Sequence, residues 1–308
     1  MIVSPKTMLQ RARRGGYAVG AFNVNNLEIL QGVVEAAMQM RSPLIVQTSQ
    51  GAIEYAGMEL LAAMVHTIAR DTDIPIALHL DHGTDVALVM EAIDSGLYTS
   101  VMIDTSRFPL QDNIRITREV VKRAHARKIF VEAELGAIPG KEDQVDVMEA
   151  DAFMTRPEEA TRFVKETDCD ALAVSIGTKH GVSKFASVHA RLDIERLRAI
   201  ASAVNKPLVL HGASSVYRNL KDVAEAYGAD LSKAFGVPDG QLKKAIKNGI
   251  AKINTDSDIR IAFTGAVDQY MTRHPNNMDP RAYLGAGRDA VRRTVIRKMK
   301  LFGSEGMI

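Results

Sequence analysis

The stretch Ile76-Ala77-Leu78-His79-Leu80-Asp81-His82-Gly83 decides how this chain is read. Its first half is apolar and opens on a β-branched residue, as a buried strand requires. Its second half turns ionisable without interruption, and a glycine closes it. Ile76–Leu80 predicts a strand; if Leu80 faces outward, His79 and Asp81 share the inward side. A strand that starts apolar and ends in histidine and aspartate suits a barrel enzyme, where chemistry sits at the carboxyl ends of the strands.

Working outward, the same design recurs. Ser100–Ile103 runs into Asp104, and Ile129–Glu134 carries Glu132 and Glu134 and runs into Leu135-Gly136. Leu172–Ile176 leads to Gly177-Thr178-Lys179-His180-Gly181, and Leu208–Leu210 to His211-Gly212-Ala213-Ser214-Ser215. Ala251–Ile253 leads to Asn254-Thr255-Asp256-Ser257-Asp258. With Ala18–Phe22 and Leu44–Thr48 these make eight predicted strands. Their starts lie roughly 25–45 residues apart, the length of one strand–helix unit with its loops. Between them, Leu27–Met40 places Leu27, Leu30, Val34 and Met38 at helical spacing, and Leu192–Val204 places Leu192, Leu197 and Ile200 together. Pro43, Pro75 and Pro207 each precede a strand, consistent with a helix that has just ended.

Eight such units predict an α/β fold, the (β/α)8 TIM barrel. A doubly wound open sheet is the alternative, but Val19-Gly20-Ala21-Phe22-Asn23 opens no GxGxxG turn. No linker or composition break divides the chain. Residues 1–308 therefore read as a single barrel domain with a C-terminal helical extension from about Asp258. In that extension Arg288 to Lys300 carry six Arg or Lys residues among Val291, Val295, Ile296 and Met299, which reads as a solvated amphipathic helix rather than a nucleic-acid stripe.

Composition narrows the function classes. Of 308 residues 46% are hydrophobic and 25% charged, which excludes a disordered, collagenous or rod-like chain. Lys plus Arg (39) and Asp plus Glu (37) nearly cancel to +2, so no strong field draws in nucleic acid or a membrane surface. The one cysteine, Cys169, allows no internal disulfide and points to a reducing compartment. No apolar run approaches the roughly 18–20 residues of a membrane span, and the N-terminus lacks a signal-peptide core. A soluble, cytoplasmic protein is expected, with no nucleic-acid or membrane partner.

Of the 8 histidines, His79, His82, His180 and His211 fall at predicted strand ends; His66, His125, His189 and His274 do not. One such histidine could be an ordinary hydrogen-bonded rim residue. Three, each followed by glycine, could instead hold a metal with an open fourth position, the catalytic arrangement for zinc. The turns at Gly181, Gly212 and Asn254–Ser257 could be ordinary tight turns, or could bind an anion through backbone N–H groups. Ser214 and Ser257 would add hydroxyls and Lys184 a charge. Asp81 is placed for general acid–base work beside a ligand. Glu142 lies on a Gly- and Pro-flanked loop whose composition suits a mobile lid. Together these residues describe a metal-assisted reaction on a phosphorylated carbonyl compound.

At this point the residues match a known family. The chain resembles the class II, metal-dependent fructose-bisphosphate aldolases, including the tagatose-bisphosphate enzymes, nearly end to end. The resemblance is carried by Gly16-Tyr17-Ala18-Val19-Gly20-Ala21-Phe22-Asn23, by Ser42-Pro43-Leu44-Ile45-Val46 through Ser49, and above all by His79-Leu80-Asp81-His82-Gly83. Ser100-Val101-Met102-Ile103-Asp104, Val131-Glu132-Ala133-Glu134-Leu135-Gly136 and Asp279-Pro280-Arg281-Ala282-Tyr283-Leu284-Gly285 also match.

The resemblance implies a lyase, an aldehyde-lyase of glycolysis that splits fructose 1,6-bisphosphate into dihydroxyacetone phosphate and glyceraldehyde 3-phosphate. It implies that His82, His180 and His211 bind catalytic Zn2+ or another divalent metal, with Asp104 and Glu134 holding it in an alternative inward location. Asp81 would exchange the proton of the C4 hydroxyl, and Glu142 that of the enediolate carbon. Asn23, Gly181, Lys184, Gly212, Ala213, Ser214, Asn254, Thr255, Asp256 and Ser257 would bind substrate, mostly at the C1 phosphate. Ser49 and Arg281 would take the far phosphate, Arg281 from a neighbouring subunit of a homodimer or homotetramer. A monovalent cation (K+, Na+ or NH4+) beside the phosphate loops is also implied. The chain departs from the family pattern at Lys179, at Val182-Ser183-Lys184-Phe185 and in the Gly212-Ala213 pair. The long seventh unit and Asn254-Thr255-Asp256-Ser257-Asp258 look closer to fructose- than to tagatose-type sequences.

Three rivals stand beside this reading. A phosphosugar epimerase or isomerase would release no triose phosphate. A non-enzymatic barrel would keep its function in His211→Ala. A Schiff-base aldolase needs a desolvated lysine on a strand, and Lys252, on the eighth strand, is the only good candidate, although it reads better as a barrel-interior or rim lysine. Such an enzyme survives EDTA and is trapped by borohydride plus substrate, whereas a metal enzyme stops with the chelator.

Overall fold

A computed structural model describes residues 1–142, 145–148, 152–181, 183–184 and 191–308. Its central strands are β1 (Val19–Asn23), β2 (Leu44–Ser49), β3 (Ile76–Gly83), β4 (Ser100–Ile103), β5 (Phe130–Leu135), β8 (Ala171–Val174), β9 (Leu208–Leu210) and β10 (Ile250–Thr255). Each pairs in parallel with the next, and β10 returns to β1, so the sheet closes into an eight-stranded barrel with no free edge. Between β5 and β8 a small antiparallel hairpin, β6 (Gly140–Glu142) and β7 (Val145–Val147), rises from the rim.

The helices wrap this barrel. They are α1 (Lys6–Gly15), α2 (Leu27–Met40), α3 (Gln50–Ala56), α4 (Met58–Arg70), α5 (Val86–Ser95) and α6 (Leu110–Ala126). After the hairpin come α7 (Pro157–Thr167), α8 (Ile194–Ala203), α9 (Arg218–Ala226), α10 (Asp239–Lys247), α11 (Ser257–Arg273) and α12 (Pro280–Phe302). None of the described helices is long and apolar enough to cross a membrane.

Strand alternation sorts the side chains into two cores. Outward residues such as Phe22, Leu44, Val46, Leu78, Leu80 and Leu172 pack under the helices. Inward residues near the strand starts (Val19, Ile45, Ala77, Met102, Phe130, Val209) close the barrel floor together with Met8, Leu9 and Ala12 of α1. Burying each of the larger of these side chains, the valine, leucine, isoleucine, methionine and phenylalanine ones, contributes about 1.5–3 kcal/mol. One or two pleats further up the same inward columns, the residues become Asn23, Gln47, His79, Asp81, Glu132 and Glu134, all buried. The apolar floor thus ends where the ionisable layer begins, at the carboxyl ends of the strands.

All eight expected strands are present, Ser100–Ile103 and Leu208–Leu210 with the expected bounds and the others with bounds shifted by at most three residues. β3 is extended most: it runs through Asp81 and His82 to Gly83. The register between β3 and β4 slips between Leu80 and Gly83, and His82 has φ +49°. This irregularity lets Asp81 and His82, neighbours in sequence, both serve one site, which regular alternation forbids. Gly83 makes it fit: a Cβ there would lie 2.4 Å from the Met102 carbonyl oxygen.

The C-terminal helices also correct the sequence reading. α12 packs along α2 and against α11. Arg293, Arg297 and Lys300 are exposed as an amphipathic helix predicts, but Lys298 is completely buried. It turns inward because Asp258, at the start of α11, waits there as an ion-pair partner at 2.6 Å.

Candidate active site

The rim assembles from strand ends that are far apart in sequence. Asp81 lies at its centre. Its Oδ2 accepts from Asn23 Nδ2 (3.0 Å) and Gln47 Nε2 (2.9 Å), and its Oδ1 from Asn254 Nδ2 (2.9 Å). Three amide donors from β1, β2 and β10 thus fix both oxygens of a buried carboxylate. Burial works against its charge, but His82 and Lys252 outweigh it and hold the Asp81 carboxyl below its usual range.

Three imidazoles converge beside it. The His82 and His211 rings lie edge to face with centroids 4.5 Å apart, and His211 Nδ1 is 3.1 Å from His82 Nε2. The His180 ring stands 4.9 Å from that of His82. His180 is set by its backbone N–H, which donates to the Pro139 carbonyl at 2.8 Å. The hairpin base presses on the same peptide: a Cβ at Gly140, where φ is +105°, would come within 2.7 Å of the His180 carbonyl oxygen. The loop of His180 and the strand bearing Glu142 are therefore held together. The Glu142 side chain lies outside the described residues, as do Val182 and residues 185–190 with His189.

Below His211 lies an ionic layer. A carboxylate only accepts, so His211 Nε2 donates to Glu132 Oε1 (2.8 Å) and presents Nδ1 to the cluster. Glu132 Oε2 pairs with Lys252 Nζ at 2.8 Å. Burial opposes the Glu132 charge, yet Lys252 and the His211 N–H keep it well below the usual carboxylate range. His79 closes the layer, with Nδ1 2.8 Å from Ser100 Oγ and Nε2 3.4 Å from Lys252 Nζ. Burial and Lys252 hold it down to about 3, so its imidazole is neutral. Lys252, the candidate for Schiff-base chemistry, is thus engaged by Glu132 in an ion pair beneath the histidines.

A second acidic pair sits on the other side of His82. Burial opposes ionisation of Asp104, but His82 and the Ser106 donors hold it down to about 2. Burial and the Asp104 charge push Glu134 well above its ordinary value. Glu134 Oε2 and Asn254 Oδ1 are buried with no hydrogen-bond partner among the described residues.

Two groups of ligating atoms, Asp81 with His82 and His211, and His82 with Asp104 and Glu134, each fall within 4.8 Å of one another. A donor set of imidazole nitrogens and carboxylate oxygens, with unsatisfied oxygens alongside, fits a divalent cation of the zinc kind.

The expected phosphate residues also gather here. Gly181 and Gly212 have φ of +81° and +59°. Ala213, Ser214, Thr255, Asp256 and Lys184 are buried on the same rim, and Ser257 Oγ donates to the Gly181 carbonyl at 3.3 Å. The Ser49 hydroxyl accepts from Ala52 N and caps α3. Arg281 is 89% exposed and forks onto Asp279 at the start of α12.

Sequence reading missed Gln47 and Glu132, and its preferred reading of Lys252 as a barrel-interior or rim lysine agrees with the structure. Strand parity could have found them: Gln47 shares its face with Ser49, Glu132 with Glu134, and Lys252 with Asn254.

The comparisons agree with this geometry. A sequence model of the family described as fructose-bisphosphate aldolase class-II matches residues 3–307. A fructose-bisphosphate aldolase of Giardia intestinalis is 47% identical over 303 residues, covering 98% of this chain and 93% of that protein. One from Thermus caldophilus is 46% identical over 306 residues, covering 99% of each. Among solved structures, the YdjI aldolase of Escherichia coli K12 superposes with a TM-score of 0.81 at 32% identity, covering 100% of this chain and 99% of that one. A fructose-bisphosphate aldolase of Campylobacter jejuni, 23% identical with a TM-score of 0.76 and covering 99% of this chain and 96% of its own, shares the fold. The chain belongs to the class II fructose-bisphosphate aldolase family, whose members are metal-dependent lyases.

If Glu132 sets the orientation of His211, Glu132→Gln should weaken zinc binding about 10- to 100-fold. Competition with a chromophoric chelator measures this, and an unchanged affinity would remove Glu132 from that role.

Proposed function

We propose that this protein cleaves fructose 1,6-bisphosphate reversibly into dihydroxyacetone phosphate and glyceraldehyde 3-phosphate, as a glycolytic enzyme of the cytoplasm. The observation that carries the reading is the Asp81 carboxylate, oriented by three amides and adjoining the imidazole cluster. The names of the relatives at 46–47% identity support fructose rather than tagatose bisphosphate as substrate.

In this reading His82, His180 and His211 hold the metal, zinc by their chemistry, with Asp104 and Glu134 offering an inward alternative. A divalent cation held there would supply Lewis acidity to polarise the ketose carbonyl. Everything else falls to the chain. Asp81, already ionised, accepts the proton of the C4 hydroxyl as the C3–C4 bond breaks. Asn23, Gln47 and Asn254 keep its oxygens aimed, and with Asp81 fixed the hydroxyl is met in a reactive geometry. Glu142, carried on the hairpin, returns a proton to the carbon left behind. The turns with Gly181, Gly212, Ala213, Ser214 and Asn254 to Ser257 present backbone N–H groups to one phosphate, with Lys184 adding charge. Asn23 and Ser49 line the path to the other, where Arg281 from a second copy completes the site. Its exposure supports a homodimer or homotetramer.

Asp81→Ala should keep its zinc and lose about 10²- to 10⁴-fold in turnover, the usual range for a general acid–base. Triose phosphate release in a coupled dehydrogenase assay measures this, and normal cleavage by the variant would refute the role. In the same assay the wild-type enzyme should show a higher kcat/KM for fructose than for tagatose 1,6-bisphosphate. The reverse order would reassign the substrate.

A further inference from the structure

Outside the cluster, a second buried ionic assembly has no part in the chemistry above. Asp258, second residue of α11, accepts at Oδ2 from Ser215 N (2.8 Å) and at Oδ1 from Val216 N (2.7 Å). Lys298 of α12 pairs with Asp258 Oδ2 at 2.6 Å and donates to Ser215 Oγ at 2.9 Å. The Ser215 hydroxyl in turn donates to Asp239 Oδ1, at the start of α10, at 3.2 Å. Lys298 and Asp258 are both wholly buried.

Three helices therefore converge on two residues of one turn. That turn is under strain: Val216 is β-branched and has φ +45°, a conformation that costs a non-glycine residue about 1–3 kcal/mol. Such a backbone persists only where its surroundings over-determine it, and the Asp258 carboxylate does so by taking two successive N–H groups. Ser214, just before the clamped pair, is fixed from the other side: its carbonyl accepts from Val237 N at 2.9 Å. Burying a lysine and an aspartate is expensive unless they are paired, and an apolar pair would pack as well. A turn that must hold N–H groups in one arrangement gives such a pair a use.

We propose that Asp258 and Lys298 are positioning residues for substrate phosphate: they clamp the turn after β9 so that Gly212, Ala213 and Ser214 meet the anion already arranged. This rests on the reading that the turn binds a phosphate of the sugar. Neither residue touches the substrate.

The test uses the zinc-loaded full chain. Lys298→Met should raise KM for fructose 1,6-bisphosphate and the Ki of inorganic phosphate together, each about tenfold, with kcat within about threefold, the pattern of lost uniform binding. Zinc affinity should not change. A purely structural role would lower the melting temperature and leave KM and Ki where they were, and that result overturns the proposal. If Lys298→Met does not fold, Ser215→Ala decides: it removes one hydroxyl of the clamp and should shift both constants the same way by a smaller factor. A Ki equal to wild type in a folded Ser215→Ala would then overturn it. Wild-type enzyme that phosphate does not inhibit would instead refute the phosphate reading beneath it.

Discussion

Glu132 sits inside a closed barrel, where a carboxylate alone would be an isolated buried charge. It persists because Lys252 meets one oxygen and the His211 N–H the other, each at 2.8 Å. Removing one partner from such a pair leaves an uncompensated charge and costs about 3–5 kcal/mol. The site above depends on this. His211 can face Nδ1 to the other imidazoles only if its far nitrogen is engaged below. His82 meets it at 3.1 Å, and Asp81 adjoins His82 through the chain. The ionic layer is thus both the ceiling of the apolar floor and the foundation of the reactive rim.

Much of this was legible in the sequence. Eight short apolar runs at regular spacing give the barrel, because a strand buried on both faces has to be apolar near its start. The histidines at strand ends give the cluster, because a closed barrel brings those ends together whatever their separation along the chain. Less visible were features that break a local rule. Consecutive Asp81 and His82 serve one site only through a register slip and a left-handed His82, and nothing in the residue types announces either. Glu132 and Lys252 could be found by parity, but their pairing across the barrel is a tertiary fact. Lys298 lies among exposed basic residues on one helix, and only the packing of α11 against α12 turns it inward.

Of the five non-glycine residues in the left-handed region among the described residues, Arg41, Lys128 and Asp168 follow the ends of α2, α6 and α7, while His82 belongs to the imidazole cluster and Val216 to the turn after β9. These last two are each held by polar groups from several elements rather than by their own neighbours in sequence. Rigid strands and long helices set these positions, while the hairpin with Glu142 is joined to them at its base through His180 and Gly140.

The central claim is that His82, His180 and His211 together hold one catalytic metal. Anomalous diffraction at the zinc edge, from crystals of the zinc-loaded protein, tests it most directly. One strong peak within coordination distance of all three imidazoles, near 2.0–2.1 Å from each ligating nitrogen, is the predicted result. A zinc peak elsewhere in the chain, with none beside these three histidines, would contradict it.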